Sequence, residues 1–368
     1  MRPYAPIVFL GLTVAAAACK RPTGAAVIGY AFPRDGQRAA LVAAAALPAD
    51  TSLGAIRIVG DWDSGGTESS VEIARAHRLV ALPGVMGVVG HAGSRGTLIT
   101  APIYAEAGIP LVVPTATSGR LWEIGEWVFP MAPNDSIEAA FLGQVAVDGL
   151  RASRIAVYFV NSAYGNGIRE EFRRWLAGRG LAPVDEVPYV IGADLETLLE
   201  ASVRRSQPDL AVLVGRRVEV ARMAALLFER DPSIRLLAAD GAYDQLAELI
   251  EAAGPAADSL YLTTFWVADT TIPIQREFIR RYRLDTGREP TAFEAMRYDA
   301  VMVLAEAIRE VGPDRTAVRD WLRSLGGSRP PYQGVTGDIS FRRGARRSLL
   351  LVRLRDGVPV PVPEAGVW

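Results

Sequence analysis

The amino-acid sequence predicts an α/β fold built on parallel sheets, and two observations support this prediction. Short runs of β-branched and other apolar residues recur along the chain, and amphipathic stretches of helical length separate them. Strands that are apolar on both faces and alternate with helices are typical of parallel sheets covered by helices on both sides. Because ligands of such sheets bind beyond the carboxyl ends of the strands, the residues that follow each strand are the candidates for function.

The predicted elements follow one another in a regular order. The strands are Ala25–Tyr30, Ile56–Gly60, Val85–Gly90, Ile109–Val113, Arg154–Val160, Leu210–Val214, Ile234–Ala238 and Ser259–Thr264. The helices between them include Glu68–Leu82, Thr97–Ala107, Ser136–Leu150, Gly167–Gly178, Arg217–Arg230 and Tyr243–Ala253. Three helices then come in succession, Pro273–Thr286, Phe293–Val311 and Thr316–Leu325.

The end of the chain predicts a loop and a β-ribbon. The loop is Gly326–Gly334, which is rich in Gly and Pro. The ribbon comprises Asp338–Phe341 and Arg347–Arg355, with Asp356-Gly357 as a turn and Val358–Pro363 as an extended edge piece.

Length and composition limit the classes of function. The 368 residues suggest roughly two domains. The 40 basic and 41 acidic residues give a net charge of −1, which disfavours a protein whose main partner is nucleic acid. With one Cys and two His, the chain has neither a disulfide framework nor a Cys/His zinc site, so no metal is expected.

The N-terminus has the layout of an export signal. In residues 1–18 an early Arg2 precedes the apolar run Ile7–Val14 and a stretch of four Ala, and the apolar run is too short to span a bilayer. Cys19 follows directly and resembles the lipidated Cys of a bacterial lipoprotein box, although Ala16 stands where Leu is commonest. We therefore expect a signal peptide over 1–18 and a lipidated tether over 19–24. The alternative is ordinary secretory cleavage that leaves a free Cys, and both predict export.

The first candidate site is the segment Gly90–Gly96, which follows a strand and opens a helix. The free N–H groups of a helix start, together with the Ser94 hydroxyl, form an anion site. A Gly-x-Ser-x-Gly hydrolase elbow is disfavoured, because Ala92 replaces the first Gly and no His follows Ser94. The structural alternative is that Ser94 is an N-cap.

Further polar residues follow other strands. Thr115 and Thr117 supply hydroxyls after Ile109–Val113, where the alternative is a turn with a cap. Tyr164 lies in a strand-to-helix turn that begins like a dinucleotide fingerprint, but Glu170 occupies the third Gly position, so no cofactor is expected.

Two charged residues complete the set of candidates. Asp240 follows the strand Ile234–Ala238 and could pair with a ligand ammonium. Arg216 follows Leu210–Val214 and could bind a ligand carboxylate or neutralise Asp240. The alternative is a surface salt bridge worth about 0–1 kcal/mol.

Several segments together resemble a known family. The run Gly84–Ser118 (GVMGVVGHAGSRGTLITAPIYAEAGIPLVVPTATS) resembles the signature segment of type I periplasmic binding proteins, most closely the leucine/isoleucine/valine-binding branch. Similar segments are VFPMAPNDS, RIAVYFVNSAYGNGIREEF, PDLAVLVG, FEAMRYDAVMVLAEAI and GVTGDISF. Their order and spacing extend the resemblance over nearly the whole mature chain.

The resemblance implies two doubly wound parallel-sheet lobes joined by a three-crossing hinge. The crossings would fall near Met131–Pro133, Thr263–Phe265 and Gly334–Gly337. Lobe 1 would comprise 25–132 plus 265–334, and lobe 2 would comprise 133–264 plus 335–368. The ligand would bind between the lobes, which close over it.

The resemblance also implies roles for individual residues. Ser94 would bind the ligand's α-carboxylate, Thr115 would contribute backbone groups, and Thr117 would contact the α-amino and carboxylate groups. Tyr164 would close on the ligand from lobe 2. Asp240 would pair with the α-ammonium.

Some residues depart from the family pattern. Arg216 stands where branched-chain binders commonly have Tyr, and we expect this cation to suit a polar or acidic ligand. Gly93 stands where some members have a disulfide Cys. Phe32-Pro33-Arg34 does not align cleanly, and Phe293 is a further pocket candidate.

The implied function is that of a lipid-anchored, extracytoplasmic substrate-binding protein. It would deliver an amino acid or a similar small molecule to the permease of an ABC importer. The alternative on the same fold is a ligand-sensing or cell-envelope scaffold lipoprotein without transport. An enzyme is disfavoured because no catalytic His, Cys or metal set stands out.

Overall fold

The described residues form a parallel sheet in lobe 1, a mostly parallel sheet in lobe 2 and a small two-stranded sheet. The computed structural model describes residues 26–33, 36–47, 56–60, 66–244, 246–342 and 349–362. The predicted signal peptide, Cys19 and the tether lie outside these residues. The predicted α/β class with parallel sheets is confirmed.

The strands and helices are numbered in chain order. The strands are β1 (Val27–Ala31), β2 (Arg57–Gly60), β3 (Val85–Gly90), β4 (Leu111–Val113), β5 (Val128–Pro130), β6 (Ile155–Val160), β7 (Asp185–Tyr189), β8 (Leu210–Val214), β9 (Arg235–Ala238), β10 (Leu260–Thr264), β11 (Tyr332–Gly334), β12 (Gly337–Ile339), β13 (Leu350–Arg355) and β14 (Val358–Pro361). The helices are α1 (Gln37–Ala46), α2 (Ser69–Val80), α3 (Ser94–Glu106), α4 (Asp135–Gln144), α5 (Ala163–Ala177), α6 (Leu195–Ser206), α7 (Arg217–Arg230), α8 (Leu246–Ala253), α9 (Pro273–Thr286), α10 (Ala292–Val311) and α11 (Arg315–Ser324).

Lobe 1 is built on a five-stranded sheet with the order β2-β1-β3-β4-β5, in which all neighbouring strands are parallel. Successive residues of a strand point to opposite faces, so each face of the sheet needs its own apolar layer. In β4, Leu111 and Val113 pack into one cluster with α2 and α3, whereas Val112 packs into another with α10 and α11. Helices therefore cover both faces of this sheet.

Lobe 2 is built on a seven-stranded sheet with the order β14-β13-β10-β9-β8-β6-β7. Strands β6 to β10 are parallel, and β13 and β14 add an antiparallel edge. In β8, Leu210 and Val212 pack toward α4 and α5, whereas Ala211 and Leu213 pack toward α6, α7 and α8. The Asp356-Gly357 turn joins β13 to β14 with φ values of 50° and 74°, which fits the predicted tight hairpin.

The third passage between the lobes differs from the expected one. The segment expected to cross, Gly334–Gly337, is instead the turn between β11 and β12. Asp299 of α10 holds this turn, because its carboxylate accepts hydrogen bonds from the N–H groups of Val335 and Thr336 at 2.9 and 2.8 Å. Phe341 then packs on Phe129 of β5 with 5.2 Å between ring centroids. Lobe 1 thus extends to about residue 341, and the chain enters lobe 2 at β13.

Several predicted boundaries also shift. Helix α3 begins at Ser94 rather than Thr97, and α5 begins at Ala163 rather than Gly167. The early start of α5 has a local cause: Ser162 is its N-cap, and its hydroxyl accepts a hydrogen bond from the Gly165 N–H at 3.3 Å. Within the described part of the chain, no helix has the length and apolar character needed to cross a membrane.

Candidate functional site

The predicted site residues lie at the carboxyl ends of strands in both lobes. In lobe 1, Ser94 follows β3, and Thr115 and Thr117 follow β4. In lobe 2, Tyr164, Arg216 and Asp240 follow β6, β8 and β9. The start of α4 links the two groups, because the Asp135 N–H donates a hydrogen bond to the Thr117 carbonyl at 2.8 Å.

Ser94 occupies the first turn of α3 and is buried, with 4% of its surface exposed. The N-cap of this helix is Gly93, and no side chain caps it, so Ser94 is not the N-cap. The first intrahelical bond runs from the Thr97 N–H to the Gly93 carbonyl. The N–H groups before it are therefore not used within the helix, and a helix start of this kind, with the Ser94 hydroxyl beside it, has the chemistry that suits an anion.

Thr115 and Thr117 bring two hydroxyls to the end of β4. Both side chains are buried. Within the described residues Thr115 Oγ1 has no hydrogen-bond partner, whereas the Thr117 hydroxyl lies close to the Asp135 carboxyl and lowers its pKa. A buried polar group without a partner costs about 1–3 kcal/mol of folding free energy. This cost is offset when a ligand supplies the hydrogen bond that Thr115 lacks, so the Thr115 hydroxyl is suited to binding.

Lobe 2 contributes a hydrogen-bonded network around Asp240. The Tyr164 hydroxyl donates to Asp240 Oδ1 at 2.7 Å and accepts from the Gly241 N–H at 3.1 Å. The Asp240 N–H donates to Glu138 Oε1 at 2.8 Å, and the Thr263 hydroxyl donates to the same oxygen at 2.7 Å. The structure thus joins the predicted Tyr164 and Asp240 directly.

Sequence reasoning missed Glu138. It lies on α4 and is fully buried, and the sequence signal was an acidic residue within the apolar stretch Ile137–Leu142. A glutamate in an amphipathic helix is expected on the solvated face, so this signal is weak. Its burial follows from the packing of α4 against β9 and β10.

Burial raises the pKa values of three acids at this site. Burial raises the pKa of Asp240, although hydrogen bonds from Glu138, Tyr164 and Gly241 oppose the rise. Burial raises the pKa of Glu138 well above its usual value, and the neighbouring charge of Asp240 adds to this effect. Burial also raises the pKa of Asp135 to about 7. No arginine is among the main causes of these three pKa shifts, so Asp135, Glu138 and Asp240 form an acidic wall on the lobe 2 side of the site.

Arg216 and Phe293 are not part of the hydrogen-bonded network around Asp240. Arg216 is the N-cap residue of α7 and is exposed, and among the described ion pairs none joins it to Asp240. Phe293 is half-buried in α10 and stacks on Phe265 with 6.4 Å between ring centroids. Since Phe265 directly follows β10, Phe293 lies beside the second crossing.

A second buried network supports the loop before α3. His91 Nδ1 lies 2.5 Å from Glu72 Oε2, and His91 Nε2 lies 2.9 Å from the Tyr104 hydroxyl. Arg75 donates to the same Glu72 oxygen at 2.7 Å, and all four side chains are almost fully buried. Among the residues that the structure describes, no group of three or more His, Cys, Asp or Glu has the arrangement of a metal site.

Comparison with known proteins agrees with this architecture. Residues 29–357 match the family model described as "Periplasmic binding protein". The chain belongs to the periplasmic binding protein family. This type I periplasmic binding protein is 27% identical over 263 residues to the Leu/Ile/Val-binding protein homolog 1 of Brucella suis, which covers 71% of this chain and 69% of that protein. It is 28% identical over 273 residues to the amino acid binding protein of Pseudomonas aeruginosa, covering 73% and 71%.

Solved structures share the fold of this periplasmic binding protein. The leucine binding protein LivK of Thermotoga maritima superposes with a TM-score of 0.82 at 24% identity, covering 92% of this chain and 97% of that one. LivJ of Streptococcus pneumoniae, solved in complex with isoleucine, gives 0.79 at 21% identity, covering 92% and 100%. A solute binding protein of R. palustris in complex with benzoate gives 0.80 at 16% identity, covering 92% and 96%. These neighbours establish the fold, and their different ligands show that the fold does not fix the ligand.

Proposed function

We propose that this protein is an extracytoplasmic substrate-binding protein that binds an amino acid between its two lobes and delivers it to the permease of an ABC importer. The observation that carries this proposal is the chemical difference between the two walls. Lobe 1 offers buried hydroxyls and a helix start whose first N–H groups are not used within the helix, whereas lobe 2 offers the buried carboxyl of Asp240. An amino-acid zwitterion fits both walls, because its carboxylate can accept hydrogen bonds from lobe 1 and its ammonium can pair with the carboxyl of lobe 2.

Each candidate residue has a role in this proposal. Ser94 and the α3 N–H groups bind the α-carboxylate, and Thr115 and Thr117 complete its hydrogen bonds. Asp240 pairs with the α-ammonium, and Tyr164 holds the Asp240 carboxyl by its hydrogen bond. Phe293 contributes to the apolar side of the pocket. The relatives named for binding Leu, Ile and Val and the amino acid binding protein of Pseudomonas aeruginosa support this ligand class.

The first test is a thermal-shift screen of the mature chain from Lys20 onward against the amino acids and related small acids, followed by calorimetry. A ligand that binds only the folded state adds about 2.7 kcal/mol of stability at a hundredfold its Kd. We expect Ser94→Ala and Asp240→Asn each to raise Kd about tenfold to a hundredfold, since a hydrogen bond to a charged group contributes about 1.5–3 kcal/mol.

The exposed residues Ser233 and Asp258 supply matched controls. Ser233→Ala and Asp258→Asn should leave Kd unchanged. Equal effects of the site and control variants, or no amino-acid ligand for the folded wild-type protein, would contradict the proposed function. A bound ligand without any permease partner would favour the sensing or scaffold alternative.

Arg216, which stands where branched-chain binders commonly have Tyr, bears on ligand preference. We propose that this cation favours a polar or acidic ligand, although its exposure limits its electrostatic contribution to about 0–1 kcal/mol. Arg216→Ala should shift the preference toward apolar amino acids by a few fold. An unchanged ranking of ligands would contradict this role.

The membrane anchor is proposed from the sequence alone. Lipidation of Cys19 would hold the exported protein at a membrane, where the permease resides. Cys19→Ser should move the full-length protein from the membrane fraction to the soluble periplasmic fraction. An unchanged membrane fraction in the variant would mean that Cys19 is not the anchor.

A further inference from the structure

Glu138 is a buried acid that the amino-acid proposal does not use, and it lies directly behind Asp240. Its Oε1 accepts hydrogen bonds from the Asp240 N–H and the Thr263 hydroxyl, and its Oε2 has no donor partner among the described residues. The side chain is completely buried, so water does not supply the missing partner from bulk solvent.

The neighbour of Glu138 on the ligand side is another carboxyl group. The Asp240 N–H donates to Glu138 Oε1 at 2.8 Å, so the two buried carboxyl groups are neighbours, and each affects the pKa of the other. Two carboxylates have no proton to share, whereas one protonated carboxyl donates to the other. A protonated Glu138 would therefore have both oxygens used, one as an acceptor and the other as a donor to Asp240.

The groups that face this pair from the packed elements do not supply positive charge. They are Asp135 on α4, Tyr164 on α5 and Thr263 on β10, and Glu171 on α5 adds a further negative charge near Asp135. The Tyr164 hydroxyl donates to Asp240, and the Gly241 N–H donates to the Tyr164 hydroxyl. Neither donates to Glu138. Two buried negative charges side by side are strongly unfavourable, so the pair holds a single negative charge.

We infer that Glu138 is a positioning residue: it carries a proton in the ligand-free protein, donates it to Asp240, and leaves Asp240 as the single carboxylate that meets the ligand ammonium. The ammonium part of this inference rests on the proposed function, whereas the protonation of Glu138 does not. The consequence for the ligand is charge matching, because the lobe 2 wall presents one negative charge to one ammonium group. A ligand with two adjacent cationic groups would find only one partner there.

The conservative variant Glu138→Gln separates this role from a direct ionic role. A glutamine amide has an oxygen that accepts and an N–H that donates, like a protonated carboxyl, so it reproduces both sets of hydrogen bonds. We expect Glu138→Gln to bind the probe amino acid, L-leucine or the strongest hit of the screen, within about threefold of the wild-type Kd. Glu138→Ala should weaken binding about tenfold or more, and Asp240→Asn should weaken it in both backgrounds.

A ligand-free measurement tests the proton itself. Carbon-13 NMR of protein labelled at glutamate carboxyl groups follows the titration of Glu138, whose signal is assigned by its loss in Glu138→Gln. We expect this carboxyl to remain protonated at neutral pH, while exposed glutamates titrate in their ordinary range near pH 4. Binding by wild type should change as pH rises through this titration, and binding by Glu138→Gln should not follow it.

The outcomes are separable. Titration of Glu138 in the ordinary range would overturn the inference, whether or not an amino acid binds. A loss of affinity in Glu138→Gln as large as that in Asp240→Asn would also overturn it, because it would show that Glu138 acts as a charge. If no amino acid binds the wild type, the proposed function fails, and the NMR titration still decides the protonation of Glu138.

Discussion

His91 shows how a single buried residue connects the core of lobe 1 to the site. It lies in the loop between β3 and α3, three residues before Ser94, and both its ring nitrogens have partners. Burial lowers the pKa of His91, so its ring is neutral at neutral pH. Burial opposes ionisation of Glu72, but His91 and Arg75 together hold the Glu72 pKa below its usual value. The loop that leads to Ser94 is therefore held in place by a buried polar network.

Removal of one hydroxyl tests the importance of this network for stability. Tyr104→Phe would leave His91 Nε2 without its partner in a fully buried place, so we expect the free energy of unfolding to fall by about 1–3 kcal/mol. Urea unfolding at neutral pH measures the change. Tyr261→Phe is the matched control, since the described contacts of Tyr261 involve its ring over Arg353 and no hydroxyl bond. An equal loss in both variants would mean that the His91 contact contributes little.

The site residues differ in how well the sequence predicts them. Ser94, Thr117 and Asp240 follow apolar strands directly, and the topology of a parallel sheet places such residues at one edge. Glu138 follows no strand and resembles an ordinary helix-surface acid, because the sequence does not show that α4 packs against β9 and β10. The sequence also does not show that Arg216 is exposed, since its exposure depends on the direction of its side chain at the start of α7.

At the scale of elements, the turn from β6 to α5 positions Tyr164. The helix starts three residues after the strand ends, and its first turn lies so close to β6 that a Cβ at position 165 would be 2.0 Å from the Val160 carbonyl oxygen. Only Gly fits at this place without a backbone shift. The same turn uses the Ser162 cap, so local sequence chemistry determines where the Tyr164 ring enters the site.

Gly165→Ala tests this close approach. We expect a loss of about 1–3 kcal/mol in the free energy of unfolding, because a backbone carbonyl cannot move aside as a flexible side chain can. Gly178→Ala at the other end of α5 is the control, since the nearest atoms to its Cβ would be at 3.5 Å and its φ is −61°. That variant should be neutral or slightly stabilising. Thermal unfolding of both proteins measures the difference, and similar Tm values would contradict a tight turn.

Some elements of the fold were not predicted, and each has a physical reason. Strand β7 has the sequence DEVPY and lies at the sheet edge, where acids and Pro are tolerated but weaken the strand signal. Helix α1 is so rich in Ala that it has little polar contrast between its faces. A turn between β11 and β12 occupies Gly334–Gly337, where the sequence predicts the third crossing, and Asp299, which binds this turn, lies about 36 positions earlier in the chain.

At the scale of the whole molecule, the first crossing joins the two halves of the site. Asp135 opens α4 in lobe 2, and its N–H donates to the Thr117 carbonyl of lobe 1. Its carboxyl is buried, which raises its pKa; the Thr117 hydroxyl opposes this rise, and the charges of Asp240 and Glu171 add to it. A change in the protonation of Asp135 therefore acts at the junction between the lobes, close to both walls.

This arrangement predicts that the ligand-free protein loses stability as pH rises toward neutrality. Burial raises the folded-state pKa of Asp135 to about 7, above the value near 4 expected in the unfolded chain. Between these values the folded state binds more protons than the unfolded state, so the stabilising contribution is complete below about pH 4 and is lost as pH rises through about 7. The slope for one proton is at most about 1.4 kcal/mol per pH unit.

Asp135→Asn removes this titration while keeping the size of the side chain. Urea unfolding between pH 5 and 8 should show a wild-type stability that falls more steeply with pH than that of the variant. His91 contributes with the opposite sign, because burial lowers its pKa, but it is present in both proteins and cancels in the comparison. Glu138 has the same sign as Asp135 and also cancels. Asp240 does not cancel fully, because its charge is coupled to that of Asp135; removal of the Asp135 charge reduces this mutual effect and so adds to the same difference between the two proteins. Parallel stability curves for the two proteins would show that Asp135 ionises normally and that the crossing does not respond to pH.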